Sequence, residues 1–175
     1  MEHGQSFHLY RSEDGRLAGV MQTVVRAKDE RADLHLMSLA VSPEFRGTGL
    51  SQVMMKRFYE LAEKKSLDLV TLRVDPLNTA ALKLYLKEGF VVVGARTRNL
   101  GGGYENIVTL AMSKSRSIPF GEFSSSAEKQ QCQIDGYQEI DSLTAEGWIG
   151  VAVHDDMLAL VRANEDQRSV YKHWR

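Results

Sequence analysis

The sequence predicts a mixed α/β (α+β) domain: a central, mostly antiparallel sheet with two main helices, followed by a small C-terminal extension containing a β-hairpin. Three observations carry this expectation. Residues 7–41 read as β-prone runs separated by turn residues. From Gly49 onward the apolar period changes to that of a helix. After Met112 the composition shifts to serines and few aliphatics.

The elements follow in order. Phe7 to Tyr10 is a short β-prone run, and Glu13-Asp14-Gly15 is a turn, with glycine at the position that tolerates positive φ. Leu17 to Ala27, rich in Val and Thr, is the second arm of a hairpin. Leu34 to Val41 is nearly continuous apolar chain, as expected of a strand buried on both faces, and Pro43 stops it. Leu50, Val53, Met54, Phe58, Leu61 and Ala62 then recur at spacings of three and four, which marks an amphipathic helix over Gly49–Lys65. Its outer face carries Lys56, Arg57, Glu60, Glu63 and Lys64. Leu67 to Val74 is a strand ended by Asp75-Pro76. Asn78 can cap a second helix, Thr79–Lys87, which Gly89 closes. Phe90 to Thr97 and Tyr104 to Met112 are the arms of a hairpin around residues 99–103. Residues 113–131 read as a linker, and Trp148–Val153 with Met157–Ala163 as one more hairpin about Asp155-Asp156.

Composition limits the function classes. The chain has 175 residues, 43% hydrophobic and 26% charged, with 22 basic against 23 acidic side chains. That balance gives no basic field for nucleic acid. No stretch approaches the roughly 20 apolar residues that span a bilayer, and the N-terminus lacks the pattern of a signal peptide, so a cytoplasmic protein without membrane contact is expected. Cys132 is the single cysteine, which excludes an internal disulfide and a cysteine-based zinc motif. No histidine has metal-ligand spacing with another, so no metal is expected. Residues 1–113 carry 15 basic and 13 acidic side chains, and residues 114–175 carry 7 and 10, so the tail is acidic.

The junction between strand and helix holds the most telling pattern, Arg46-Gly47-Thr48-Gly49-Leu50-Ser51. Backbone N–H groups at a helix start point outward, and the helix dipole there favours anions. Glycines at 47 and 49 allow the backbone close to a phosphate. Arg46 adds a cation, and Thr48 and Ser51 offer hydroxyl donors. A pyrophosphate is the guest this stretch suits. The alternative is an ordinary tight loop before a helix, since short glycine motifs have many false positives. A Walker loop lacks its Gly-Lys-Ser/Thr here, and the dinucleotide fingerprint lacks its third glycine.

The wider context resembles the GNAT superfamily of acyl-CoA-dependent N-acyltransferases over about residues 5–113. The pyrophosphate loop of that family, Gln/Arg-x-x-Gly-x-Gly/Ala, is matched by Arg46, Gly49 and Ser51, with serine in place of the final small residue. A second motif, Asn-x-x-Ala…Leu-Tyr-x-x-x-Gly-Phe, is matched by Asn78, Ala81, Leu84, Tyr85, Gly89 and Phe90. The resemblance implies acetyl-CoA as cosubstrate and a primary amine as acceptor. It implies that the backbone of Leu39 and Val41 meets the pantetheine arm, that residues 46–51 hold the pyrophosphate, and that Asn78 contacts the cofactor beside the second helix. Tyr85 is then the general acid for the departing thiolate, against the alternative of a packed aromatic. His35 stands where many relatives carry a carboxylate base. By simple alternation it shares a face with Met37, Leu39 and Val41. A structural histidine is the other reading, and a water chain to Glu105 or another carboxylate is a competitor for the base.

The chain departs from the family at both ends. Only about 30 residues precede the central strand, so the helical element that walls the acceptor site in relatives is not expected here. The tail can supply that wall, within the chain or across a homodimer. A non-catalytic CoA-binding module and an interaction protein on the same scaffold are the alternative function classes.

Overall fold

Gln5–Arg11 (β1) and Leu17–Lys28 (β2) pair antiparallel across a turn in which Ser12 and Arg16 bond through their backbones at 3.0 Å and Gly15 takes φ +83°. The computed structural model describes residues 4–28, 31–98, 107–115, 117 and 128–171. The chain forms two compact units, dividing after Leu72.

In the first unit, Arg31–Val41 (β3) pairs antiparallel with β2 and parallel with the start of Leu69–Val74 (β4). Pro43–Phe45 makes a single 3-10 turn, and Leu50–Lys64 (α1) follows. Gly19 on β2 faces this helix. A Cβ there would stand 3.2 Å from Met54 Sδ and 3.4 Å from a Leu50 methyl, so the helix approaches the sheet where no side chain intervenes. Met54, Met55, Phe58 and Ala62 are fully buried, as are Met21, Leu34, Leu36 and Leu72. Val53 is not part of that core and is 58% exposed. The buried stripe centres on Met54, Phe58 and Ala62 and extends to Met55 on one side, which leaves Val53 on the other.

Asp33 and His35, on the second face of β3, are buried as well. The strand is therefore covered on both sides, but one cover is polar.

The second unit contains Thr79–Lys87 (α2), Val91–Arg98 (β5) and Ile107–Ser115 (β6), the last two forming an antiparallel pair. The turn residues 99–103, with Tyr104 and Glu105, lie outside the described residues. So do Arg116 and residues 118–127 of the expected linker. Beyond it come Lys129–Gln133 (β7), Tyr137–Ala145 (α3), Trp148–His154 (β8), Met157–Arg162 (β9) and Glu165–Tyr171 (α4). The expected hairpin is β8–β9, and Asp155 and Asp156 both take positive φ, 48° and 60°, as a tight two-residue turn requires. β7, α3 and α4 were not anticipated. β7 pairs with β9, and Val92 of β5 pairs with Gly150 of β8. Val91, Val93, Ile149, Val161 and Ala163 form one buried apolar cluster.

Candidate functional site

Four hydrogen bonds fasten and shape the loop before α1. Ser42 fastens its start to β2, donating from its amide to Ala18 O at 2.9 Å and from Oγ to Leu17 O at 2.7 Å. Thr48 Oγ1 donates to Phe45 O at 2.7 Å, closing the loop on itself. Ser51 Oγ donates to Gln52 Oε1 at 3.1 Å. Both hydroxyl protons offered in the sequence reading thus have partners within the loop, and their oxygens remain acceptors. Gly47 and Gly49 take φ +75° and +85°, the left-handed region where glycine is favoured. Gly49 is the N-cap, with no side-chain cap and no acidic residue in the first turn. The first helical bonds run from Gln52 and Val53 to Gly49 O, so the N–H groups of Leu50 and Ser51 precede the ladder. The exposed Arg46 reaches back toward Val41 O, 3.4 Å from its Nε. The arrangement presents N–H donors and a cation at a helix start whose first turn carries no acidic residue, which suits an anion.

Upstream, the ladder between β3 and β4 runs from Asp33↔Leu69 to Leu36↔Leu72 and ends there. Beyond it, Ser38 to Val41 pair with β2 alone among the described residues, so one backbone edge of this segment is open. At the same point β3 carries a bulge. Thr23 faces Leu36 and Gln22 faces Ser38, which leaves Met37 as the extra residue. The bulge corrects the alternation argument. His35 pairs with Val24 whereas Leu39 pairs with Met21, three positions along β2 and therefore on the opposite face. Leu34, Leu36, Leu39 and Val41 share the α1 face; His35 lies on the other with Asp33.

His35 is the end of a polar chain. Its Nδ1 is 2.8 Å from Thr71 Oγ1, and Thr71 Oγ1 makes a short bond to Asp33 Oδ2. Arg26 donates to Asp33 through Nε at 3.1 Å and Nη2 at 2.6 Å, and through Nη2 to Thr71 Oγ1 at 2.7 Å. The sequence reading missed Arg26, Asp33 and Thr71.

In the second unit, Asn78 caps α2: its Oδ1 accepts from Ala81 N at 3.2 Å. Its amide NH2 is the part left for a ligand. Tyr85 is buried in α2 at 7% exposure, its ring edge-on to Phe90 with centroids 6.0 Å apart. Burial raises its phenol above the usual range, so the hydroxyl holds its proton throughout the neutral range. Cys132 is buried, and that burial with the Glu139 charge pushes its thiol up to about 11, which leaves no thiolate for nucleophilic chemistry.

A separate cleft of about 520 Å3 lies between β1 and α1, lined by His8, Tyr10, Val53, Lys56, Arg57 and Glu60 among others. His8 is a residue of β1. The Tyr10 hydroxyl and His8 Nε2 are buried without a hydrogen-bond partner among the described residues. An unpartnered buried hydroxyl is destabilising, so Tyr10→Phe is expected to leave stability unchanged or raise it by up to about 1 kcal/mol. Urea denaturation measures this, and a loss above that amount would show that the hydroxyl has a partner.

The described geometry sets the uncapped start of α1 beside an open strand edge. The model of the Acetyltransferase (GNAT) family matches residues 1–90, half of the chain, and the chain belongs to that family. It is 33% identical over 93 residues to an uncharacterized N-acetyltransferase of Mycobacterium bovis, covering 53% of this chain and 58% of that protein. It is 39% identical over 79 residues to a mycothiol acetyltransferase of Thermobispora bispora, covering 43% and 27%. The chain therefore spans less than two thirds of these relatives. Among solved structures, nourseothricin acetyltransferase matches at TM-score 0.56 and 25% identity over 63% of this chain and 65% of that one. A GNAT-family acetyltransferase from Streptococcus pneumoniae shares the fold at TM-score 0.52, 23% identity, over 65% and 68%. The expected fold class and family are those found. Among the described residues, no helix is long and apolar enough to cross a membrane.

Proposed function

We propose that the chain is an acetyl-CoA-dependent N-acetyltransferase that moves an acetyl group to a primary amine. The observation that carries this reading is the uncapped start of α1, with glycines at positive φ and no acidic residue in its first turn, next to the open edge of Ser38–Val41. Residues Gly47 to Ser51 hold the pyrophosphate through backbone N–H groups, and Arg46 supplies a counter-charge. The backbone of Leu39 and Val41 pairs with the pantetheine arm, and an N–H of that edge faces the thioester oxygen, where charge develops. The edge lies between the two faces of the strand. The amine approaches from the His35 face, while Leu39 and Val41 turn to α1.

Reaction then requires two proton transfers. The amine gives its proton to His35 and its lone pair forms the new C–N bond. The C–S bond breaks, and the thiolate takes a proton from Tyr85. Asn78 contacts the cofactor through its amide NH2. Residues 1–113 form the acyltransferase core and residues 114–175 an extension that packs on it, a packing supported by the Val92↔Gly150 pairing.

Gly49→Val tests the cofactor site. At φ +85° a β-branched residue is strained by about 1–3 kcal/mol, and a loop that relaxes moves its N–H groups away from the phosphates. Acetyl-CoA binding by calorimetry is expected to weaken about tenfold or more. If the unaltered protein shows no heat with acetyl-CoA or CoA at millimolar concentration, the reading fails.

A further inference from the structure

The buried chain of Arg26, Asp33, Thr71 and His35 leaves its protons one arrangement. A guanidinium only donates, and a carboxylate paired with it only accepts. Asp33 has no exposed side-chain surface, and Arg26 holds it through two bonds, so it is the acceptor of the pair. The single hydrogen of the Thr71 hydroxyl therefore points to Asp33 Oδ2. Two lone pairs remain on that oxygen, and two atoms face them: Arg26 Nη2 at 2.7 Å and His35 Nδ1 at 2.8 Å. Arg26 Nη2 is a donor. If His35 Nδ1 carried a lone pair, two lone pairs would face each other at hydrogen-bond distance inside a buried site. With a hydrogen on Nδ1, every position on the Thr71 oxygen is satisfied.

We infer that Arg26, Asp33 and Thr71 are positioning residues that hold His35 as its Nδ1–H tautomer, making Nε2 the basic nitrogen. A free neutral imidazole in water favours the opposite tautomer, so the chain reverses the default. The hydrogen bond at one ring nitrogen decides which proton the other can take. Thr71 sits on the rung before the β3–β4 ladder ends, so the imidazole is oriented where the open strand edge begins. That Nε2 receives the amine proton rests on the acetyltransferase reading; the tautomer itself does not.

The test is the nitrogen-15 spectrum of the histidine rings in the full chain, at a pH where His35 is neutral, with His35→Gln used to assign its signals. The expected spectrum has a protonated-type Nδ1 and an unprotonated-type Nε2. Thr71→Val is expected to move the hydrogen to Nε2 and to lower kcat about tenfold, below the full contribution of a general base, with KM for acetyl-CoA unchanged. Thr71→Ser, which keeps the hydroxyl, restores both. An Nε2–H tautomer in the unaltered protein overturns the inference, whatever the activity of the variants. So does an Nδ1–H tautomer that persists in Thr71→Val. If the tautomers behave as expected while His35→Gln turns over normally, the inference stands and the role of His35 as base is what fails.

Discussion

A chain ended at Lys114 loses its second unit as a cooperative structure, with a melting temperature at least about 10 °C lower or no soluble protein. The cut removes β7, α3, β8, β9 and α4, and with them Ile149, Val161 and Ala163 from the buried cluster. Val91 and Val93, only 2% and 3% exposed, would face water. Each buried valine is worth about 1.5 kcal/mol or more, and the β5–β8 pairing is lost as well. A few kcal/mol corresponds to roughly 2–4 °C per kcal/mol in a chain of this size. Gly150 shows how closely the segment fits. A Cβ there would lie 2.8 Å from a Leu158 methyl and 2.9 Å from Val92 Cβ, so β8 meets β5 and β9 at a position with room for hydrogen alone. Ile149→Ala is the milder version, expected to cost about 2–4 kcal/mol by leaving a cavity. Calorimetric melting of the three proteins decides the matter. A shortened chain that melts with the full one would mean that residues 115–175 contribute nothing to the fold.

The extension was only partly legible because its signals are short. Trp148–His154 and Met157–Arg162 alternate and flank a two-residue turn, so their hairpin could be read. Tyr137–Ala145 buries Ile140, Leu143 and Thr144, two aliphatic residues in nine, too few to set a helical period against a serine-rich lead-in. β7 is KQQCQ, whose one buried residue is Cys132, and pairing with β9 makes it a strand. Neither could be found without the partner it packs on.

The site divides in the same way. The loop could be read because its geometry depends on residue types visible in the sequence, two closely spaced glycines at positive φ directly before a helix. The orientation of His35 could not. A count of two along β3 is correct up to Leu36 and wrong beyond it, because Met37 is inserted and nothing in its chemistry announces a bulge. Asp33 stands directly before the predicted strand Leu34 to Val41, in a charged stretch that gives no sign of burial. Its partner Arg26 is seven positions away, and Thr71 is 38 away on a strand that only the parallel pairing brings alongside. Local patterns place elements; they do not report which polar groups a fold buries together.

Tyr85→Phe is expected to reduce kcat about ten- to a thousandfold while leaving the KM for acetyl-CoA and the melting temperature nearly unchanged. The stability half of this expectation follows from packing. The ring is buried edge-on against Phe90, and phenylalanine keeps the ring and its contacts. The kinetic half follows from the hydroxyl. Burial raises its pKa, so the acid is fully loaded at neutral pH, and a limb due to its ionisation would appear only above the usual range of a phenol, as activity falls with rising pH. A thiolate expelled without a nearby proton must be stabilised by solvent alone, and the barrier rises accordingly. Free thiol release, measured at saturating amine where chemistry limits the rate, reads the change directly. A variant with unaltered turnover under those conditions would reduce Tyr85 to a packing residue, and the proton would have to come from elsewhere.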